Sequence, residues 1–189
     1  MYTRLSLLLS LIVMISLSAC GNVSTESAAK EFKSDDGGFS VMTASELREQ
    51  VFPAVTAGVS RPEIHSFSGK LNDLSYGVSY YTLSEYYASS GADPSSAGPE
   101  SLLGIADSYF FIDGLPGSPA TLGADGYYRR DLSFEHQEIK YKAHLILSAN
   151  SDHPDEDDDR VYAVFVSAPI GLFDETAADD FLNSFKLLR

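Results

Sequence analysis

The sequence predicts an α+β domain built around a central strand near its C-terminal end. Three observations carry that expectation. Residues 160–188 read RVYAVFVSAPIGLFDETAADDFLNSFKLL, an apolar run followed by a turn and an amphipathic stretch. Residues 161–166 are apolar at odd and even positions alike, so a strand there needs cover on both faces, and the helix behind it offers one cover. Two pairs of alternating segments, at 63–83 and 127–148, read as hairpins.

Asp35-Asp36-Gly37-Gly38 is a turn signal, and Phe39-Ser40-Val41-Met42 a short strand. Thr43-Ala44-Ser45-Glu46 has capping-box spacing, which predicts one or two helical turns over 44–50, ended by Pro53. Residues 63–71 alternate weakly and 74–83 strongly, with Leu74, Tyr76, Val78 and Tyr80 on one face; Asn72-Asp73 between them suits a hairpin turn. Residues 85–98 form a Ser/Gly/Pro-rich loop with a short helical turn at 85–88.

Leu102, Leu103, Ala106, Tyr109 and Phe110 make a helical stripe between Pro99 and Gly114. Residues 127–136 and 139–148 form the second hairpin, with Tyr141, Ala143, Leu145 and Leu147 facing one way. Asp174 is the expected N-cap of the closing helix, and Ala177, Ala178, Phe181, Leu182, Phe185 and Leu188 its buried stripe. Lys186 and Arg189 would suit its negative end.

The chain has 189 residues and a formal net charge of -14, enough length for one core and the wrong sign for phosphate backbones. Nucleic acid is therefore excluded as an expected partner. One cysteine, Cys20, rules out an intramolecular disulfide.

The position of Cys20 carries more. Arg4, the apolar run 5–17 and then Leu17-Ser18-Ala19-Cys20-Gly21 describe a secretory signal too short to span a bilayer. Leu17-Ser18-Ala19-Cys20 resembles the lipobox of bacterial lipoproteins. The resemblance implies cleavage before Cys20, a diacylglycerol on its thiol and an acylated new amino terminus. Residues 1–19 are then the signal peptide. Residues 20–36 are the lipidated cysteine and a tether whose roughly 15 residues would reach roughly 20 Å as a coil. Residues 37–189 are the folded domain. Gly21 stands where enterobacterial inner-membrane lipoproteins carry aspartate, so the outer membrane, facing the periplasm, is the expected site in a Gram-negative cell.

The opening G-G-F-S-V, Tyr76-Gly77-Val78-Ser79-Tyr80, the mid-chain helix, Gly126-Tyr127-Tyr128-Arg129-Arg130, and the endings R-V-Y-x-x-x-V-S-A-P and F-L-N-S-F-K-L resemble PsbP-like domains, most of all the uncharacterised bacterial type. The resemblance spans residues 37–189 and is most specific at its C-terminal end. It implies a three-layer α/β/α sandwich around a mostly antiparallel sheet. Known members of that family include an extrinsic photosystem II subunit and a Ran-GTPase-binding import factor. Those activities do not transfer, because a fold does not fix a function. The family's bias towards binding and assembly proteins points away from an enzyme.

No G-x-S-x-G elbow, phosphate-binding loop or H-E-x-x-H spacing is present. The histidines are His65, His136, His144 and His153, and His144 on its strand reads as structural or exposed rather than as a ligand. The densest polar cluster is 152–159, where Asp152, Asp155, Asp157 and Asp159 are weak candidate ligands for Ca²⁺. A solvated loop is the simpler reading, since the spacing is not that of an EF-hand. Tyr76, Tyr80, Tyr81, Tyr86, Tyr87, Tyr127 and Tyr128 either line a groove or pack between sheet and helices, the second being commoner. Arg129 and Arg130 either pair with nearby carboxylates, the commoner outcome, or mark an anion-binding spot.

The expected function is that of a non-enzymatic, lipid-anchored envelope protein that binds or helps assemble another envelope protein. A small-ligand or calcium-binding lipoprotein is the alternative, and an envelope hydrolase a more remote one. No other cofactor is expected.

Overall fold

Hydrophobic strands that alternate around short turns give this chain an almost entirely antiparallel architecture. The structure is a computed structural model, and it describes residues 28–52, 55–56, 59–60, 62–91, 117–150 and 159–188. In chain order the strands are β1 (Lys30–Ser34), β2 (Phe39–Thr43), β3 (Arg48–Phe52), β4 (Val55–Thr56), β5 (Val59–Ser60), β6 (Ile64–Leu71) and β7 (Leu74–Thr82). Helix α1 (Leu83–Ser90) comes next, then β8 (Thr121–Leu122), β9 (Tyr128–His136), β10 (Ile139–Asn150) and β11 (Arg160–Pro169). A 3-10 turn (Ile170–Leu172), α2 (Glu175–Ser184) and β12 (Lys186–Leu187) follow.

The main sheet has the order β3-β6-β7-β11-β10-β9-β8, and a smaller sheet the order β1-β2-β12. Strands β4 and β5 form a separate two-stranded pair. Every pairing among the described strands is antiparallel. β11 is the middle strand of the main sheet, as its two-sided hydrophobicity predicts. Tyr162, Val164, Val166 and Ala168 point to one face. Val161 and Ala163 point to the other.

The first face is covered by the small sheet and by α2. Phe39 and Val41 of β2 and Ala178, Phe181 and Leu182 of α2 share a core there with Tyr76, Val78 and Tyr80 of β7 and Ile146 of β10. Among the described residues, α1 covers the second face, with Leu83, Tyr86 and Tyr87 against Tyr81, Leu132, Phe134, Leu145 and Leu147. Helices thus lie on both faces of an antiparallel sheet, the α/β/α sandwich of the expected α+β class. Gly77 is required at its place: a Cβ there would stand 2.5 Å from the Phe67 carbonyl oxygen and 2.8 Å from the Phe165 ring.

Both predicted hairpins form. Leu71 pairs with Leu74 around Asn72 and Asp73, and His136 with Ile139 around Gln137 and Glu138. Asn72, Gln137 and Glu138 take the positive φ that such tight turns demand. The Asp174 carboxylate caps α2, accepting from the Ala177 N–H at 3.0 Å.

Four expectations change. The stretch expected as tether is partly strand, since Lys30 to Ser34 pair with Thr43 to Phe39. The fold therefore begins near Lys30 rather than Gly37. Half-buried Phe32 explains why, its ring lying 6.1 Å from Phe39 and 5.5 Å from Phe67. Residues 44–50 are not helical. The Thr43 hydroxyl accepts from the Ser45 N–H at 3.2 Å, a turn two residues on rather than a cap, and Arg48 to Phe52 then ladder onto the edge of β6. The helical turn expected at 85–88 is longer, running Leu83–Ser90 behind a Thr82 cap and stopping at Gly91 in the left-handed region. Helix α2 ends at Ser184, so Phe185 is its cap and Lys186 lies in β12 rather than in a last helical turn. Lys186 pairs with Ser40 there, the backbone ladder of β2 having taken over from the helix. The stripe 102–110 and Arg189 lie outside the described residues.

Candidate functional site

Antiparallel register, more than sequence proximity, gathers the polar side chains into two ensembles. Both stand on the first-face side of the main sheet.

The first is centred on His65. Register sets it opposite Tyr80, and the two rings stack at 4.9 Å with 5° between their planes. Edge strand β3 brings Glu49, whose Oε1 lies 3.0 Å from His65 Nδ1, and Glu63 Oε1 lies 3.3 Å from Nε2. A neutral imidazole carries one N–H, so only the imidazolium donates to both carboxylates. The Arg160 guanidinium lies 5.8 Å from the Tyr80 ring centroid. Burial raises the Tyr80 hydroxyl above the ordinary phenol range, against the pull of Arg160.

The second ensemble is centred on His144. Register places Asp131 across from it, and α2 begins beside it with Glu175. His144 Nε2 is 3.5 Å from Asp131 Oδ1 and 3.4 Å from Glu175 Oε2, longer than a good hydrogen bond. Lys142 donates to Glu175 Oε1 and stands 5.1 Å from the centroid of Phe173, whose ring is 4.9 Å from that of His144. The Lys142 hydrogen bond holds the Glu175 carboxyl below the usual range.

Each imidazole lies beside two carboxylates and against an aromatic ring. Among the described residues, no group of three or more His, Cys, Asp or Glu is arranged to hold a metal ion.

The predicted site residues are dispersed. Cys20, Asp152, Asp155, Asp157 and His153 lie outside the described residues. Asp159 is drawn into the fold, 6% exposed, and its carbonyl accepts from the Leu83 N–H at 2.9 Å, tying β11 to the start of α1. The tyrosines do not line one groove. Tyr76 and Tyr80 belong to the first-face core with Tyr127 against it, whereas Tyr81, Tyr86 and Tyr87 belong to the second with Tyr128 against it. The pleat divides them, since Tyr80 and Tyr81 are neighbours on one strand. Arg129 pairs with Asp125 at 2.6 Å and also reaches Asn183; Arg130 donates to the Ser118 carbonyl at 3.1 Å. Burial disfavours the Asp125 carboxylate, but hydrogen bonds from Arg129 and the Tyr127 N–H outweigh it and leave its pKa lowered.

Sequence reasoning missed Glu49, Glu63, Asp131 and Glu175 as partners of the histidines. Asp131 was within reach, because the hairpin 127–148 fixes its register against His144. Glu49 was hidden by the helical expectation for 44–50.

No family model matches the chain, and no curated protein matches it. Solved structures do. One is a crystal structure from Bacteroides thetaiotaomicron VPI-5482 at 1.50 Å resolution, 14% identical, with a TM-score of 0.45 over 87% of this chain and 50% of that one. The chain thus spans about half the length of the Bacteroides protein. Another is the solution structure of cyanobacterial PsbP (CyanoP) from Synechocystis sp. PCC 6803, also 14% identical, with a TM-score of 0.47 over 91% of this chain and 99% of that one.

Proposed function

We propose that this chain is a lipid-anchored cell-envelope protein with a PsbP-like domain, of the non-enzymatic kind that binds or helps assemble another envelope protein. The observation that carries the reading is the sole cysteine, Cys20, at the end of the apolar run 5–17 in the sequence Leu17-Ser18-Ala19-Cys20. Two acyl signals hold a protein on a membrane far more firmly than one. The fold supports short attachment, because β1 begins at Lys30. Ten residues from Cys20 reach at most about 35 Å when fully extended. Gly21 favours the outer membrane of a Gram-negative cell, with the domain facing the periplasm. Among the described residues no helix is long and apolar enough to cross a membrane.

Radiolabelled palmitate should enter the wild-type protein and be lost with Cys20→Ser, which should also release the protein from the membrane fraction. Persistent label on C20S would sink the reading. Crosslinking in intact membranes should recover an envelope protein in stable proportion, and recovery of none would remove the assembly role while leaving the anchor.

A second reading is small-ligand or calcium binding, for which Asp159, the described member of the acidic run 152–159, is the testable residue. Millimolar Ca²⁺ should then raise the melting temperature, and Asp159→Asn should abolish the rise. An unchanged melting curve excludes calcium.

A further inference from the structure

One end of the main sheet is apolar where the surface should be polar. Ile170 and Leu172 of the 3-10 turn are 52% and 54% exposed, and Ile139 is 46% exposed. They belong together in space. Tyr141 pairs with Pro169, so Ile139 lies alongside the chain as it leaves β11, and the 3-10 turn packs against β10. Gly171 between the two apolar residues faces open space. Lys140 is exposed beside Ile139, and Lys142 is the next residue on the same side of β10.

The N-terminal chain arrives at this same end. β1 begins at Lys30, opposite Thr43. The Thr43 hydroxyl is 3.1 Å from the Tyr76 hydroxyl, and Tyr76 pairs with Val166, near the exit of β11. From Lys30 the strand runs away from that end, since Ser34 pairs with Phe39, whose ring is 6.4 Å from that of Tyr162 near the strand's start. The first residue of β1, Lys30, therefore stands at the end of the sheet that carries the Ile170–Leu172 turn.

We propose that Ile139, Ile170 and Leu172 form a membrane-contact face, which the short lipid tether presses into the interfacial region of the bilayer. This rests on the reading of Cys20 as the anchor. The occupant follows from the length of chain: about 35 Å of fully extended tether, and about 17 Å as a coil, keep this end of the sheet within reach of the lipid that holds Cys20. Shallow insertion of apolar side chains, roughly 5–10 Å deep with lysines at the head groups, is the expected mode. Glu138 lies at the adjoining turn, and Glu175 is paired with Lys142, so charge attraction to lipid is weak and the anchor supplies the proximity.

The chain contains no tryptophan, so single substitutions give single emitters. Leu172→Trp and Ile139→Trp, made in the full chain with its signal, would be purified as the palmitate-labelled form and reconstituted into phosphatidylethanolamine–phosphatidylglycerol vesicles. Leu122→Trp, 62% exposed at native leucine, is the control on edge strand β8. Emission from positions 172 and 139 should shift to shorter wavelength. Tails brominated near the carbonyl end should quench it more than tails brominated near the methyl end, and position 122 should do neither. Protein that carries palmitate and floats with the vesicles, yet shows no shift or quenching at 172 and 139, overturns the face and leaves the anchor intact. A shift insensitive to brominated lipid also overturns it, because a protein then covers the turn. Protein without palmitate that stays off the vesicles overturns the anchor and the face together.

Discussion

The two faces of β11 are built from different materials. The first carries a ring network in which Phe39 touches Phe32, Phe67, Tyr80, Tyr162 and Phe185. The second carries small residues at its centre. Ser66, Ser75, Ser79 and Ser167 are buried there by strand parity, with Ser79 donating to Ser66 at 2.9 Å and Phe165 lying over Gly77. The first face is closed by elements from both ends of the chain; the described cover of the second, α1, follows β7 directly. Large rings bury more area and leave larger holes when cut, so the first face should dominate stability.

The contrast can be broken most directly at its centre. Phe39→Ala removes a ring that is 0% exposed and should cost about 3–5 kcal/mol in chemical denaturation. Leu83→Ala, equally buried against the second face, should cost about 2–4 kcal/mol. A greater loss from L83A than from F39A would reverse the comparison.

Tyr162→Phe tests the link that closes the first face from outside. The Tyr162 hydroxyl donates to the Gly37 carbonyl at 2.9 Å across 125 residues of sequence. Its removal leaves a buried acceptor and should cost about 1–3 kcal/mol.

Alkaline pH should act on both faces. Burial raises the pKa of Tyr80 and Tyr127 on the first and of Tyr87 on the second above the ordinary phenol value of 10.0. A raised folded value means the native state holds the proton more tightly. That contribution is complete below the unfolded value and is lost as pH rises through the folded values. Stability should fall above that value, and an ultraviolet titration should show tyrosines ionising late; simultaneous ionisation of all tyrosines would contradict the burial.

The smallest effect belongs to the surface. The Glu175 pKa is lowered, so its contribution is present above the unfolded value and lost as pH falls through the folded one. Glu175→Gln should flatten the acid limb of the stability profile slightly, as exposed pairs contribute little. A melting temperature that falls as steeply in E175Q as in wild type below pH 4.5 would assign that limb elsewhere.

Much of this fold was legible because strand and helix periods differ. Residues 161–166 could satisfy only a strand covered twice, and Asp174 before Glu175 announced a helix start. What failed was local grammar under tertiary competition. Thr43 with Glu46 spelled a cap, yet the open edge of β6 recruited Arg48 to Phe52 as a strand. Phe32 sat in a polar tract and read as tether, because nothing local shows that Phe39 and Phe67 wait for it. The polar ensembles were less legible still. Each joins residues whose meeting depends on register: Glu49 with His65 across β3 and β6, and Glu175 with His144 across a helix start and a strand.

β2 has one further consequence, for timing. It lies between a strand made from residues 30–34 and one made from residues 186–187, so its second neighbour is the latest element of the described chain to be synthesised. Until that strand arrives, β2 has one unpaired edge and the first-face core lacks its closing Phe185. Contacts of such long sequence separation slow folding. A chain ending at Ser184 should accordingly refold to a looser state with weak amide protection in β2, and full protection there would show that β12 is no latch.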